Sequence, residues 1–114
     1  MEQDSREKNE KEIQYLYTEA ENLYNLALDN VENMNDEESA YWGLGGLYRS
    51  WSYFIQQKDI KIHLLKTAIY YYMCSYDCGN EHGLKRAKKI AADNKIVVNF
   101  NDIDGWAVKE KIIG

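Results

Sequence analysis

The chain predicts an all-α fold, an antiparallel bundle of about four to five helices, and three observations carry that reading. Apolar residues recur at intervals of three and four over most of the length, the period of one helix face. No proline interrupts the 114 residues. The stretch 39–77 holds two aromatic-crowded segments joined by the polar elbow Gln56-Gln57-Lys58-Asp59, which makes a helical hairpin the centre of the fold.

Composition bounds the rest. Apolar residues make up 45% and charged residues 29%, the balance of a soluble globular chain long enough to build a core without disulfide or metal staples. No apolar run approaches the roughly 18 residues of a membrane span, and the acidic N-terminus lacks the basic start and apolar core of a signal peptide. A cytoplasmic location without a membrane partner is expected, with Cys74 and Cys78 as free thiols. The net charge of −5 is unevenly spread: residues 1–60 hold 13 acidic and 5 basic side chains, residues 61–114 hold 6 and 9. An acidic half of this kind speeds association with basic partners and disfavours nucleic acid there.

Residues 1–9 offer no apolar side chain after Met1, so a tail held by no burial is expected, followed by one helical domain over 10–114. The first helix starts at Ile13 and runs about five to six turns. Ile13, Leu16, Ala20, Leu23, Ala27 and Met34 trace its core stripe, Tyr17, Tyr24, Leu28 and Val31 widen it, and Glu12, Glu19, Glu21, Asp29 and Glu32 face out. Asn35 with Glu38, or Ser39 alone, is positioned to cap the second helix, whose stripe is Ala40, Leu44, Leu47/Tyr48, Trp51 and Phe54/Ile55. Gly43, Gly45 and Gly46 each cost close to 1 kcal/mol relative to alanine in a helix interior. Close approach of another helix, which the missing side chains permit, is the expected compensation, with the rings of Tyr41, Trp42 and Tyr48 filling the flanks. A phosphate-cradling loop is the sharper alternative, disfavoured because Gly43-Leu44-Gly45-Gly46 has neither the following Lys-Ser/Thr nor a preceding strand.

Asp59 is the expected cap of a third helix, Ile60 to about Asp77, with Ile62, Leu65, Ala68/Ile69, Tyr72 and Tyr76 inward and a stop at Gly79-Asn80. Asn80 caps a fourth, short helix whose stripe of Leu84, Ala87 and Ile90/Ala91 is surrounded by Lys85, Arg86, Lys88 and Lys89. Beyond it, Lys95–Phe100 has strand composition. Asp104-Gly105 permits a short β-hairpin with Trp106–Val108, while a last helix capped at Asp102 or Asp104 is the preferred alternative, since a lone hairpin needs something to pack upon.

Ala20, Tyr24, Ala27 and Leu28 share the small/aromatic/small spacing of the second helix of a tetratricopeptide repeat; Tyr41, Leu44, Gly45 and Tyr48 match the first helix of the next, and Lys61, Leu65, Ala68 and Ile69 its second. Residues 20–69 thus resemble that family, with Lys61 where it has a small residue and no proline after the second helix. The resemblance implies packed antiparallel helices and a concave peptide-binding face; nothing catalytic follows from it.

No catalytic or cofactor motif stands out, so neither an enzymatic activity nor a cofactor is assigned. His63 has no nucleophile and orienting group at a recognisable spacing. Cys74, Cys78 and His82 stand four apart, a spacing zinc tolerates, but Gly79-Asn80 breaks the helix between them and no second ligand pair follows, so no metal is assigned. Asn101, Asp102 and Asp104 lack the spacing and closing glutamate of a calcium loop. The reading that remains is a protein-binding module, a small acidic inhibitor or neutraliser of the immunity-protein, antitoxin or phage anti-defence kind. Glu37, Glu38, Tyr41 and Trp42 form its expected contact face against a basic target surface. The alternatives are a helix-turn-helix regulator binding DNA through segment 83–95, with Lys85, Arg86, Lys88 and Lys89 on phosphates, and a self-associating helical adaptor such as a homodimer.

Overall fold

The computed structural model describes residues 2–98 and residue 100; of the hairpin or helix expected over 95–114, the part from residue 101 on lies outside these. Four helices run in order, α1 (Glu2–Asp29), α2 (Met34–Ser52), α3 (Lys58–Asp77) and α4 (Glu81–Asp93), with no strand among the described residues. The substantial packing is between sequence neighbours, α1 on α2, α2 on α3 and α3 on α4. No helix among the described residues is long and apolar enough to cross a membrane.

Several boundaries differ from expectation, each for a local reason. α1 is helical from Glu2, through the residues expected as a tail. Glu, Gln, Lys and Arg there are good helix formers, so propensity extends the helix where no apolar side chain could anchor it. α2 is capped by Asn33, whose side-chain oxygen accepts from the Asp36 backbone N–H at 2.9 Å, rather than by Asn35 or Ser39. Met34 thereby opens α2 instead of closing the stripe of α1. α3 starts at Lys58 behind Gln57, which makes no side-chain cap bond, so Asp59 sits inside the first turn as an acid near the positive helix end. The stop at Gly79 holds: its φ of +110° lies in the left-handed region that glycine enters freely. Asn80 caps α4 as expected, its side chain accepting from the His82 N–H at 3.0 Å.

The core is centred on α3. Leu65, Ala68, Ile69, Tyr72, Met73 and Cys74 are buried against Tyr41 from α2 and against Ala87, Ile90 and Ala91 from α4. The α2 glycines answer the question their cost raised. A Cβ on Gly43 would stand 2.3 Å from the Tyr24 ring of α1, and one on Gly45 would stand 2.9 Å from the Tyr72 ring of α3. Both faces of α2 therefore receive a tyrosine where a side chain is missing. After Asn94 the chain turns, Ile96 and Val98 pack on the core, and Val97 between them is 98% exposed, an in-out alternation without strand pairing among the described residues.

A run of rings ties the first three helices together. Tyr17 stacks on Trp51 with centroids 5.3 Å apart, Trp51 on Tyr48 at 6.0 Å, Tyr48 on Tyr71 at 5.6 Å and Tyr71 on Tyr41 at 6.2 Å. Each such pair contributes about 0.5–1.5 kcal/mol beyond its buried area. The polar ends are also engaged: Tyr17 shares a 2.6 Å hydrogen bond with Ser50, and the Tyr48 hydroxyl donates to Glu21.

This run decides which face of α1 is used. The side that packs is Ile13 and Ala20 from the expected core stripe together with Tyr17, Tyr24 and Leu28, which were expected only to widen it, all half-buried. Leu16, Leu23, Ala27 and Met34, expected inside, are exposed. The rings win because α2 presents shapes that fit them, Trp51 for Tyr17 and the recess at Gly43 for Tyr24.

Candidate interaction surfaces

Where α2 begins, α3 ends and α4 begins, Asn35, Glu38, Cys78, Gly79, Asn80, Glu81 and His82 line an open cleft of about 410 Å³. Glu38 is its central side chain. One carboxylate oxygen accepts both from Ser75 Oγ at 2.9 Å and from the Asn80 side-chain amide; the other lies 3.5 Å from Ser39 Oγ. The Ser75 hydroxyl is fully buried, and Asn80 is the cap of α4, so Glu38 fastens three helix ends together. Glu38→Ala is expected to cost about 1–3 kcal/mol by leaving the Ser75 donor buried without an acceptor, whereas Glu38→Gln, which keeps a carbonyl oxygen, costs less. Chemical denaturation of the two variants checks the ranking.

The expected contact residues are thus divided. Tyr41 is only 7% exposed; burial foremost, with Cys74 and Glu37 beside it, raises its hydroxyl pKa. Trp42 is half-buried in a T-shaped contact with Tyr72, centroids 5.0 Å apart, and the Arg86 guanidinium lies over its ring at 5.5 Å. Glu37 is half-buried in the first turn of α2. The four are neighbours, but Tyr41 faces the core and Glu38 is committed to Ser75 and Asn80.

On α4, Lys85, Arg86, Lys88 and Lys89 are all exposed. Arg86 lies over the Trp42 ring and Lys89 pairs with Asp93 at 3.4 Å, while Lys85 and Lys88 show neither kind of contact among the described residues. One residue from each expected surface, Trp42 and Arg86, is brought together.

Cys74, Cys78 and His82 fall on sites of very different accessibility, buried, half-buried and exposed, and no group of three metal-ligating side chains gathers among the described residues. Burial pushes the Cys74 thiol up to about 12, opposed by a hydrogen bond with Tyr70 and reinforced by Asp77, and burial also raises Cys78. Both thiols are therefore held in their protonated form near neutral pH.

Sequence reading missed the outer face of α1. Leu16, Leu23 and Leu26 are 65%, 67% and 58% exposed and Tyr15 is 64% exposed, with Glu12 and Glu19 exposed among them. The available signal was an excess: α1 carries apolar residues on more of its circumference than one neighbouring helix can cover. No protein-family model, no curated protein and no solved structure matches the chain.

Proposed function

We propose that the chain is a non-enzymatic protein-binding module, a small acidic inhibitor or neutraliser that covers a basic surface of a target protein. The observation that carries this reading is the coincidence of charge and exposed apolar area on one part of the molecule. Residues 2–37, α1 and the start of α2, carry 11 acidic side chains against three basic ones, Arg6, Lys8 and Lys11, and the largest exposed aliphatic side chains lie in the same stretch. Charge of one sign speeds encounter and apolar area slows release, the division of labour an occluding protein needs. The resemblance of residues 20–69 to a tetratricopeptide repeat agrees with a peptide- or protein-facing role.

The exposure of Lys85 and Lys88 favours the second reading, a DNA-binding regulator. A pull-down from the native host at moderate and high salt, with the eluate identified by mass spectrometry, separates the two. A stoichiometric basic protein, weakened by Glu32→Lys with Asp36→Lys, is the expected result; these exposed sites replace Glu38, whose loss would confound binding with stability. An eluate holding only nucleic acid, released by salt and lost with Lys85→Gln and Lys88→Gln, would sink the inhibitor reading.

A further inference from the structure

Single exposed leucines need no explanation, but three leucines and a tyrosine on one helix face do. Glu12, Leu16, Glu19, Leu23 and Leu26 follow one another at intervals of four, three, four and three, the spacing of a helix-pairing seam, with Tyr15 beside it. The seam spans about 21 Å, the length of a four-turn partner helix. It lies about 130° around α1 from the face that holds Tyr17 and Tyr24 against α2, so a partner can dock without disturbing the bundle.

From this seam we infer the partner element: a basic amphipathic helix, aliphatic along one side with Lys or Arg seven residues apart, docks along the outer face of α1. The inference rests on the protein-binding reading above and makes it specific. Charge decides the occupant. Glu12 and Glu19 stand within the leucine row, and Glu19 is its midpoint. Two copies pairing antiparallel would set Glu19 against Glu19, and pairing in parallel would oppose both glutamates with themselves, arrangements that like charges destabilise. A helix that meets the leucines with aliphatic side chains and the two glutamates with cations satisfies every position of the seam.

Fluorescence anisotropy with labelled peptides tests this on the full chain. The probes are an amphipathic Leu/Lys heptad peptide, a scramble of the same composition, and a Leu/Glu counterpart. The amphipathic Leu/Lys peptide is expected to bind at least about 10-fold tighter than its scramble. Leu23→Glu is expected to remove that preference with the circular dichroism spectrum unchanged, and Glu12→Lys with Glu19→Lys to transfer it to the Leu/Glu peptide. Equal binding of peptide and scramble, or no effect of Leu23→Glu, overturns the site. So does a wild-type dimer that Leu23→Glu dissociates, which would make a second copy the occupant. Shielding of the Leu16, Leu23 and Leu26 methyls from a soluble paramagnetic probe in the free monomer would overturn it too, since the chain itself would then cover the seam. A target recovered by pull-down whose binding ignores Leu23→Glu leaves the inhibitor reading standing and removes only this site; peptide binding without any protein target does the reverse.

Discussion

Gly83→Ala is expected to destabilise the fold by about 3 kcal/mol, among the largest effects of any single methyl in the chain. A Cβ at this position would stand 2.3 Å from the Tyr72 carbonyl oxygen and 2.9 Å from the Tyr76 nitrogen, both backbone atoms of α3 that cannot rotate away. α4 must lift, and Ala87, Ile90 and Ala91, which are buried against α3, lose their contacts together. The midpoint of thermal unfolding should fall by about 10 °C or more. Gly46→Ala is the internal control. Its nearest neighbour, the Tyr72 hydroxyl, lies at 3.5 Å, so the methyl fits and the gain in helix propensity should raise stability by up to about 1 kcal/mol. The same substitution thus has opposite signs at two glycines. Equal effects at both would mean that α4 does not approach α3 as described.

The contrast also marks how far the sequence could be read. The glycines of α2 looked costly enough to demand a close neighbour, and Tyr24 and Tyr72 supply one at Gly43 and Gly45. Asn80 was legible as a cap because Gly79 before it and an amphipathic run after it leave one choice. The start of α2 was not, since Asn33, Asn35, Asp36 and Ser39 are all competent caps and the register of packing selects Asn33. Periodicity located each apolar stripe, but it cannot say which of two adjacent stripes finds a partner. In α1 the aromatic stripe found Trp51 and Gly43, and the leucine stripe was left outside. The same limit placed Tyr41 on a contact face that the structure turns inward, and hid the tie from Glu38 to Ser75 across 37 residues of sequence.

The densest part of that hidden interior should make the protein fail sharply in alkali. Burial is the leading cause that raises the hydroxyls of Tyr41, Tyr70, Tyr71 and Tyr72, and Arg86 and Arg49 only partly offset it at Tyr72. Cys74, packed among them, is pushed up to about 12. In the unfolded chain these groups release their protons near their ordinary values, about 8.5 for the thiol and about 10 for the phenols. Above those values the unfolded chain binds fewer protons than the folded one, so stability, complete below them, declines as pH rises toward the folded values. Each group contributes a slope of up to about 1.4 kcal/mol per pH unit over the interval between its unfolded and folded values, so the losses add as pH rises. The share of tyrosinate absorbance that comes from these four phenols should therefore appear together with the loss of the helical circular dichroism signal, in one cooperative step. Tyr70→Phe, which removes one of the linked protons, should move that step to higher pH. Ionisation of all the tyrosines while the helices persist would show that the rings of α2 and α3 are open to solvent, and that the core does not close around Tyr72 as the structure has it.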